Sequence, residues 1–125
     1  MKLLTVDDSA MMRKIIADAS EVLGFEALEA ENGEKALEIL EAEWQDISLV
    51  LLDWNMPVMN GLDVLKKIKA DRRMAGIPVM MVTTESERKN IIKAIQEGAS
   101  SYLSKPFVPE DLITKIMQSV DMDFE

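Results

Sequence analysis

The chain has 125 residues, which suits one domain built around a single core. Its net charge of −9 weighs against direct binding of duplex DNA, because phosphate contacts need a basic surface. It contains neither His nor Cys, which excludes Ser–His and Cys–His nucleophile pairs, thiolate metal sites and disulfides. No apolar run approaches the ~20 residues of a membrane span, and no signal peptide is evident. We therefore expect a cytoplasmic protein without membrane insertion.

Short apolar segments alternate with amphipathic segments along the whole chain. The apolar segments have the length and composition of β-strands and cover residues 3–6, 26–30, 47–52, 79–82 and 101–103. Each is followed by apolar residues at helical spacing, which are, in chain order, Met12 and Ile16, Leu37 and Leu40, Leu62 and Leu65, Ile91 and Ile95, and Leu112 and Ile116. Asn32 is a predicted N-cap of the second helix, whereas Val108 is a poor cap for the last.

Strict alternation of strands and helices predicts an α/β fold with a parallel sheet. Parallel neighbours need a crossover connection, which is usually a helix. Right-handed crossovers place helices on both faces of the sheet, which explains why residues 47–52 are apolar almost throughout. We therefore predict a doubly wound, five-stranded parallel sheet with five helices on its two faces.

Polar side chains follow four of the predicted strands, at the point where each strand ends. They are Asp7 and Asp8 after the first strand, Asp53 after the third, Thr83 after the fourth and Lys105 after the fifth. Taken alone, each has an ordinary structural explanation as a turn, cap or strand residue. In open α/β sheets, however, ligands bind outside the carboxyl ends of the strands. The joint arrangement therefore favours a functional site.

Three clustered carboxylates point to a cation and to phosphoryl chemistry. They repel one another unless a positive charge lies between them, and Mg²⁺ prefers oxygen ligands of this kind. A carboxylate beside Mg²⁺ and a lysine can act as a nucleophile toward phosphorus, forming an aspartyl phosphate. No phosphate-binding glycine loop follows the first strand, which weighs against a nucleotide-binding protein.

Four motifs resemble those of the receiver domains of bacterial two-component response regulators. They are the Asp7–Asp8 pair, "DWNMPVMNG" from Asp53, "MVTTES" from Met81 and "GASSYLSKPF" from Gly98. The likeness covers nearly the whole chain and is strongest to single-domain regulators of chemotaxis. It implies one receiver domain over residues 1–125 and a flavodoxin-like strand order of 2-1-3-4-5.

The resemblance assigns roles to the residues at the predicted edge. It makes Asp53 the phosphoacceptor and Lys105 the lysine that assists it. It implies Mg²⁺ binding by Asp8 and Asp53, with Asp7 helping through water and the backbone carbonyl of Asn55 as a further ligand. The protein would catalyse its own magnesium-dependent phosphorylation and dephosphorylation without being a turnover enzyme.

The resemblance also implies how the phosphorylated state is detected and lost. Thr83 takes the position of the switch hydroxyl and Tyr102 that of the switch aromatic residue, while Pro106 is expected to follow a cis peptide bond. Asn55 and Glu85 occupy the positions that influence loss of the phosphoryl group.

A target-binding surface is implied around the fourth helix and fifth strand. Its expected residues are Ile91, Ile95, Ala99, Tyr102 and Lys115. The implied phosphodonor is a histidine kinase, the implied target is a protein such as a flagellar motor switch component, and the expected oligomeric state is a monomer.

Three alternative functions compete with a chemotaxis switch. An intermediate receiver in a phosphorelay would carry the same motifs. A haloacid-dehalogenase-like phosphatase also uses an aspartyl nucleophile, but it needs a second Asp two residues later, where this chain has Asn55. A degenerate scaffold that no longer accepts phosphate is disfavoured by the intact acidic cluster.

Overall fold

The structure is a computed structural model that describes residues 1–120. Its five strands are β1 (Lys2–Val6), β2 (Glu26–Ala30), β3 (Ile47–Leu52), β4 (Val79–Thr83) and β5 (Ser101–Ser104). Its five helices are α1 (Ala10–Val22), α2 (Gly33–Glu43), α3 (Gly61–Ala70), α4 (Arg88–Gln96) and α5 (Pro109–Ser119). None of the helices in this part of the chain is long and apolar enough to cross a membrane.

The strands form one parallel sheet in the order β2-β1-β3-β4-β5. This confirms the predicted doubly wound fold and its strand order. The register places Val6 opposite both Ala30 and Leu52, so the first three strands end at the same level. Thr83 lies opposite Ser104 at the ends of β4 and β5. The residues that follow β1, β3 and β5 are therefore delivered to one edge of the sheet.

The hydrophobic core has two layers, one on each face of the sheet. Val50 and Leu52 of β3 pack in the layer that contains residues of α2, α3 and α4. Leu49 and Leu51 pack on the opposite side with residues of α1 and α5. Because successive side chains of a strand point to opposite faces, both sets in β3 must be apolar. The burial of β3 on both faces makes it a rigid support for Asp53.

Helix capping divides the helices into two groups. The side chains of Ser9, Asn32 and Asn60 accept hydrogen bonds from backbone N–H groups in the first turns of α1, α2 and α3. Glu87 and Val108, which precede α4 and α5, make no such bond. A side-chain N-cap contributes typically ~1 kcal/mol. The first turns of α4 and α5 therefore lack a stabilising contact that the other helices have, as predicted for Val108.

Candidate functional site

Three carboxylates converge at the carboxyl edge of the sheet. Asp7 and Asp8 follow β1, Asp53 follows β3, and one oxygen of each lies within 4.8 Å of the others. Asp7 is 2% exposed and Asp53 is 7% exposed, whereas Asp8 is open to solvent. Buried charges of one sign are costly without a compensating cation. The oxygen donors and their spacing fit Mg²⁺, which takes carboxylates and keeps several waters.

Asp7 is held at every polar atom. Its backbone N–H donates to the Ala30 carbonyl at 3.1 Å, and its own carbonyl accepts from Nη1 of Arg13 at 2.7 Å. Its Oδ1 accepts from the Ser9 N–H at 2.9 Å, and its Oδ2 accepts from Nζ of Lys105 at 2.6 Å. Asp7 is thus both a turn residue and a fixed charge of the site.

Lys105 supplies the positive charge within the cluster. Its Nζ lies 2.6 Å from Oδ2 of Asp7 and 3.4 Å from Oδ2 of Asp53, and its side chain is 12% exposed. Its N–H donates to the Thr83 carbonyl at 2.9 Å, and a cis peptide bond joins it to Pro106, as the resemblance implies. The ammonium group therefore lies beside Asp53 while making its closer contact with Asp7.

The backbone around Asp53 is fixed by close packing of the following loop. The Asp53 N–H donates to the Val6 carbonyl at 3.0 Å, and the Gly61 N–H returns to the Trp54 carbonyl at 2.8 Å. A Cβ at Gly61 would lie 2.1 Å from the Asp53 carbonyl oxygen, so only glycine fits. Asn55 lies in this loop with its side chain exposed. The sequence analysis missed Gly61, although an Asn-Gly pair before a predicted helix is a visible turn signal.

The same loop contains a strained residue. Val58 has a φ of 72°, and the Met59 N–H donates to the Pro57 carbonyl at 2.8 Å across it. This is the tight three-residue turn that is rare because it is strained, and a β-branched side chain adds to the strain. Strained conformations of this kind persist only where the surroundings enforce them. Here the loop that closes on Asp53 provides that enforcement.

Thr83 and Tyr102 are both bonded to one residue of the loop between β4 and α4. Thr83 is fully buried, and its Oγ1 accepts from the Glu85 N–H at 3.2 Å. The Tyr102 hydroxyl donates to the Glu85 carbonyl. Burial, together with the negative charges of Glu85 and Asp53, raises the pKa of Tyr102 to about 12. The structure therefore connects the two predicted switch residues through Glu85.

The exposed part of α4 carries large apolar side chains. Ile92 and Ile95 are 46% and 48% exposed, Ile91 is half-buried, and Ala94 is fully buried. Only part of the apolar arc of this helix therefore contacts the core. Isoleucines this exposed, close together on one helix, are available to a partner protein.

One predicted member of the target-binding surface lies in the core. Ala99 is 6% exposed and packs in the layer beneath α4, because the chain turns inward after Gly98, whose φ is 110°. Tyr102 and Lys115 are half-buried and remain accessible. We therefore define the α4–β5–α5 surface by Ile91, Ile95, Tyr102 and Lys115, without Ala99.

Comparison with known proteins agrees with this geometry. Residues 3–117 match the family model of the response regulator receiver domain. The chain is 48% identical over 117 residues to the chemotaxis protein CheY1 of Helicobacter pylori, which covers 93% of this chain and 94% of that protein. It is 43% identical over 117 residues to the chemotaxis protein CheY homolog of Campylobacter jejuni, with 93% and 89% of the two chains covered.

Solved structures of similar proteins share the fold. The chemotaxis protein CheY4 of Vibrio cholerae matches with a TM-score of 0.87 at 30% identity, over 94% of this chain and 97% of that one. A CheY-like receiver domain protein of Methanospirillum hungatei matches with a TM-score of 0.86 at 29% identity, over 96% and 93% of the two chains. Since the family model spans most of the chain and the relatives cover nearly all of it, this protein belongs to the response regulator receiver domain family.

Proposed function

We propose that the protein is a phosphorylation-operated signalling switch in chemotaxis. The observation that carries this proposal is the convergence of Asp7, Asp8 and Asp53 around the ammonium group of Lys105. The relatives named as chemotaxis proteins support the pathway. The phosphodonor is a histidine kinase, because the chain has no histidine of its own, and a flagellar motor switch component is the target.

Mg²⁺ is the cofactor that the acidic cluster fits. Asp8 and Asp53 would hold the ion, Asp7 would contribute through water, and the Asn55 backbone carbonyl would complete the protein ligands. When bound, Mg²⁺ compensates the charge of the carboxylates and of the phosphoryl oxygens.

Asp53 performs the covalent step. A carboxylate oxygen of Asp53 attacks the phosphorus of the donor's phosphohistidine, the P–N bond breaks, and the electron pair of that bond leaves with the imidazole. The product on this chain is an acyl phosphate. Lys105 lies close enough to neutralise charge on the transferred group, as its 3.4 Å contact with Asp53 shows. The group is later lost to water, a step that Asn55 and Glu85 tune from the rim of the site.

The phosphoryl group is detected through Thr83 and Tyr102. It adds a charge of about −2 and strong acceptor oxygens next to the buried Thr83 hydroxyl. A Thr83 hydroxyl that turns toward this group gives up the Glu85 N–H that it now accepts. Because Tyr102 donates to the carbonyl of the same Glu85, its ring and the α4–β5–α5 surface respond together.

Mass spectrometry of the protein after incubation with acetyl phosphate and Mg²⁺ tests the proposal. We expect one added phosphoryl group in the wild type, none in Asp53→Ala, and none in the wild type with excess chelator. Asp46→Ala is the matched control, because Asp46 is an exposed carboxylate at the opposite edge of the sheet. Equal labelling of Asp53→Ala and wild type would contradict the assignment of Asp53.

A further inference from the structure

The acidic cluster contains one carboxylate whose placement depends on the backbone alone. Within residues 1–120, the Asp8 side chain makes no hydrogen bond or ion pair, in contrast to Asp7 and Asp53. Asp8 is also the exposed member of the cluster. Its direction is therefore determined by the peptide group that joins it to Asp7.

The carbonyl of that peptide group is bound by Arg13. Nη1 of Arg13 donates to the Asp7 carbonyl oxygen at 2.7 Å, a short bond from a charged donor. Nε of the same guanidinium lies 3.2 Å from Oε1 of Glu29 on β2. The Arg13 side chain is 16% exposed, although it begins on the first turns of a surface helix. Arg13 thus connects α1 to the ends of β1 and β2 at the edge that carries the cluster.

Two ordinary explanations of Arg13 make different predictions from a role in the site. A general clamp between helix and sheet would affect stability and leave metal binding unchanged. The ion pair with Glu29 is weak support for that explanation, because Glu29 is 46% exposed and exposed pairs contribute little. A purely electrostatic role would oppose metal binding, since a cation near the cluster repels a second cation.

We propose that Arg13 is a positioning residue of the magnesium site. By holding the Asp7 carbonyl, it fixes the plane of the peptide group before Asp8 and so aims the Asp8 carboxylate at the space shared with Asp53. The inference rests on the proposed function insofar as Mg²⁺ is the ligand. It assigns to a residue that touches no ligand the task of organising one that does.

Titration of Arg13→Gln with MgCl₂ separates these explanations by the sign of the effect. Binding is followed by Trp54 fluorescence in a Trp44→Phe background and by calorimetry. We expect roughly tenfold weaker binding, the lower end of the range for groups that orient metal ligands. Unchanged or tighter binding in a folded variant overturns the proposal. Lys14→Gln is the matched control, because it removes the same charge from an exposed neighbour on α1 and should bind Mg²⁺ like the wild type.

Two further variants keep the test decisive if Arg13→Gln folds poorly. Arg13→Lys retains the charge but cannot bind the Asp7 carbonyl and Glu29 in the same way, so we expect affinity between those of the wild type and Arg13→Gln. In an Asp8→Ala background, the Arg13 substitution should cause little additional loss, because the carboxylate that it aims is gone. Equal losses with and without Asp8 would overturn the proposal.

The wild-type titration distinguishes failure of this inference from failure of the proposed function. If the wild type binds Mg²⁺ and Arg13→Gln binds it equally well, only the role of Arg13 is wrong. If the wild type binds no Mg²⁺ in either measurement, the metal assignment and the role of Arg13 both fall.

Discussion

Tyr102 is the only tyrosine of the chain, so its phenol can be titrated by absorbance without interference from others. Burial and the charges of Glu85 and Asp53 raise its pKa to about 12 from the model value of 10.0. We expect a single midpoint near that value. Asp53→Asn should lower the midpoint, because it removes one of the charges, whereas Glu41→Gln on α2 should not. Equal midpoints in wild type and Asp53→Asn would show that the site does not influence the ring.

The same pKa predicts how stability depends on alkaline pH. The phenol of the unfolded chain loses its proton near pH 10, while that of the folded chain keeps it until about pH 12. The unfolded state then binds fewer protons, so the free energy of unfolding falls as pH rises through this window. Tyr102→Phe should show a weaker decrease.

The chemically active residues were predictable because each follows a strand, and strand ends are visible in the sequence. Asp7, Asp53 and Lys105 needed only the rule that parallel strands end at one edge. Arg13 and Gly61 were not predictable in this way. Their roles depend on contacts with the carbonyls of Asp7 and Asp53, and a backbone acceptor leaves no residue type to recognise.

At the scale of elements, α4 carries the most specific prediction about partners. Ile95 is 48% exposed on α4, so Ile95→Asp should keep the fold and remain phosphorylated on Asp53. It should lose most of its binding to the flagellar motor switch component, because a charge in an apolar contact must be desolvated. Binding is measured by calorimetry with beryllofluoride-activated protein.

A matched substitution on α1 controls for a general effect of added charge. Ile15 is 39% exposed on the opposite face of the sheet, and Ile15→Asp should bind the target normally. Loss of binding in Ile15→Asp with retention in Ile95→Asp would place the target on α1 instead.

The elements were predicted almost completely, but three strand boundaries fell short by one residue. Lys2, Thr83 and Ser104 pair within the sheet although their side chains are polar, so hydrophobic patterning excludes them. Ala99 was misplaced for a different reason. Its side of the chain depends on the turn at Gly98, which composition does not reveal.

At the scale of the whole molecule, the net charge of −9 should act in opposite directions on two reactions. Acetyl phosphate is an anion, so screening by salt should raise its rate of reaction with the protein. A partner with basic residues is attracted, so screening should lower its association rate. Stopped-flow measurements at roughly 0.05 and 0.5 M salt compare the two. Equal salt dependence in sign would contradict a role for the overall field.

The close approach of Gly61 to the Asp53 carbonyl has a consequence for mutational tolerance. A glycine that contributes no functional group leaves a space of 2.1 Å, less than any other side chain requires. Selection for signalling would therefore reject substitutions at Gly61 as severely as substitutions of the phosphoacceptor itself. In a survey of variants the two positions would score alike, one for its reactivity and the other for its lack of volume.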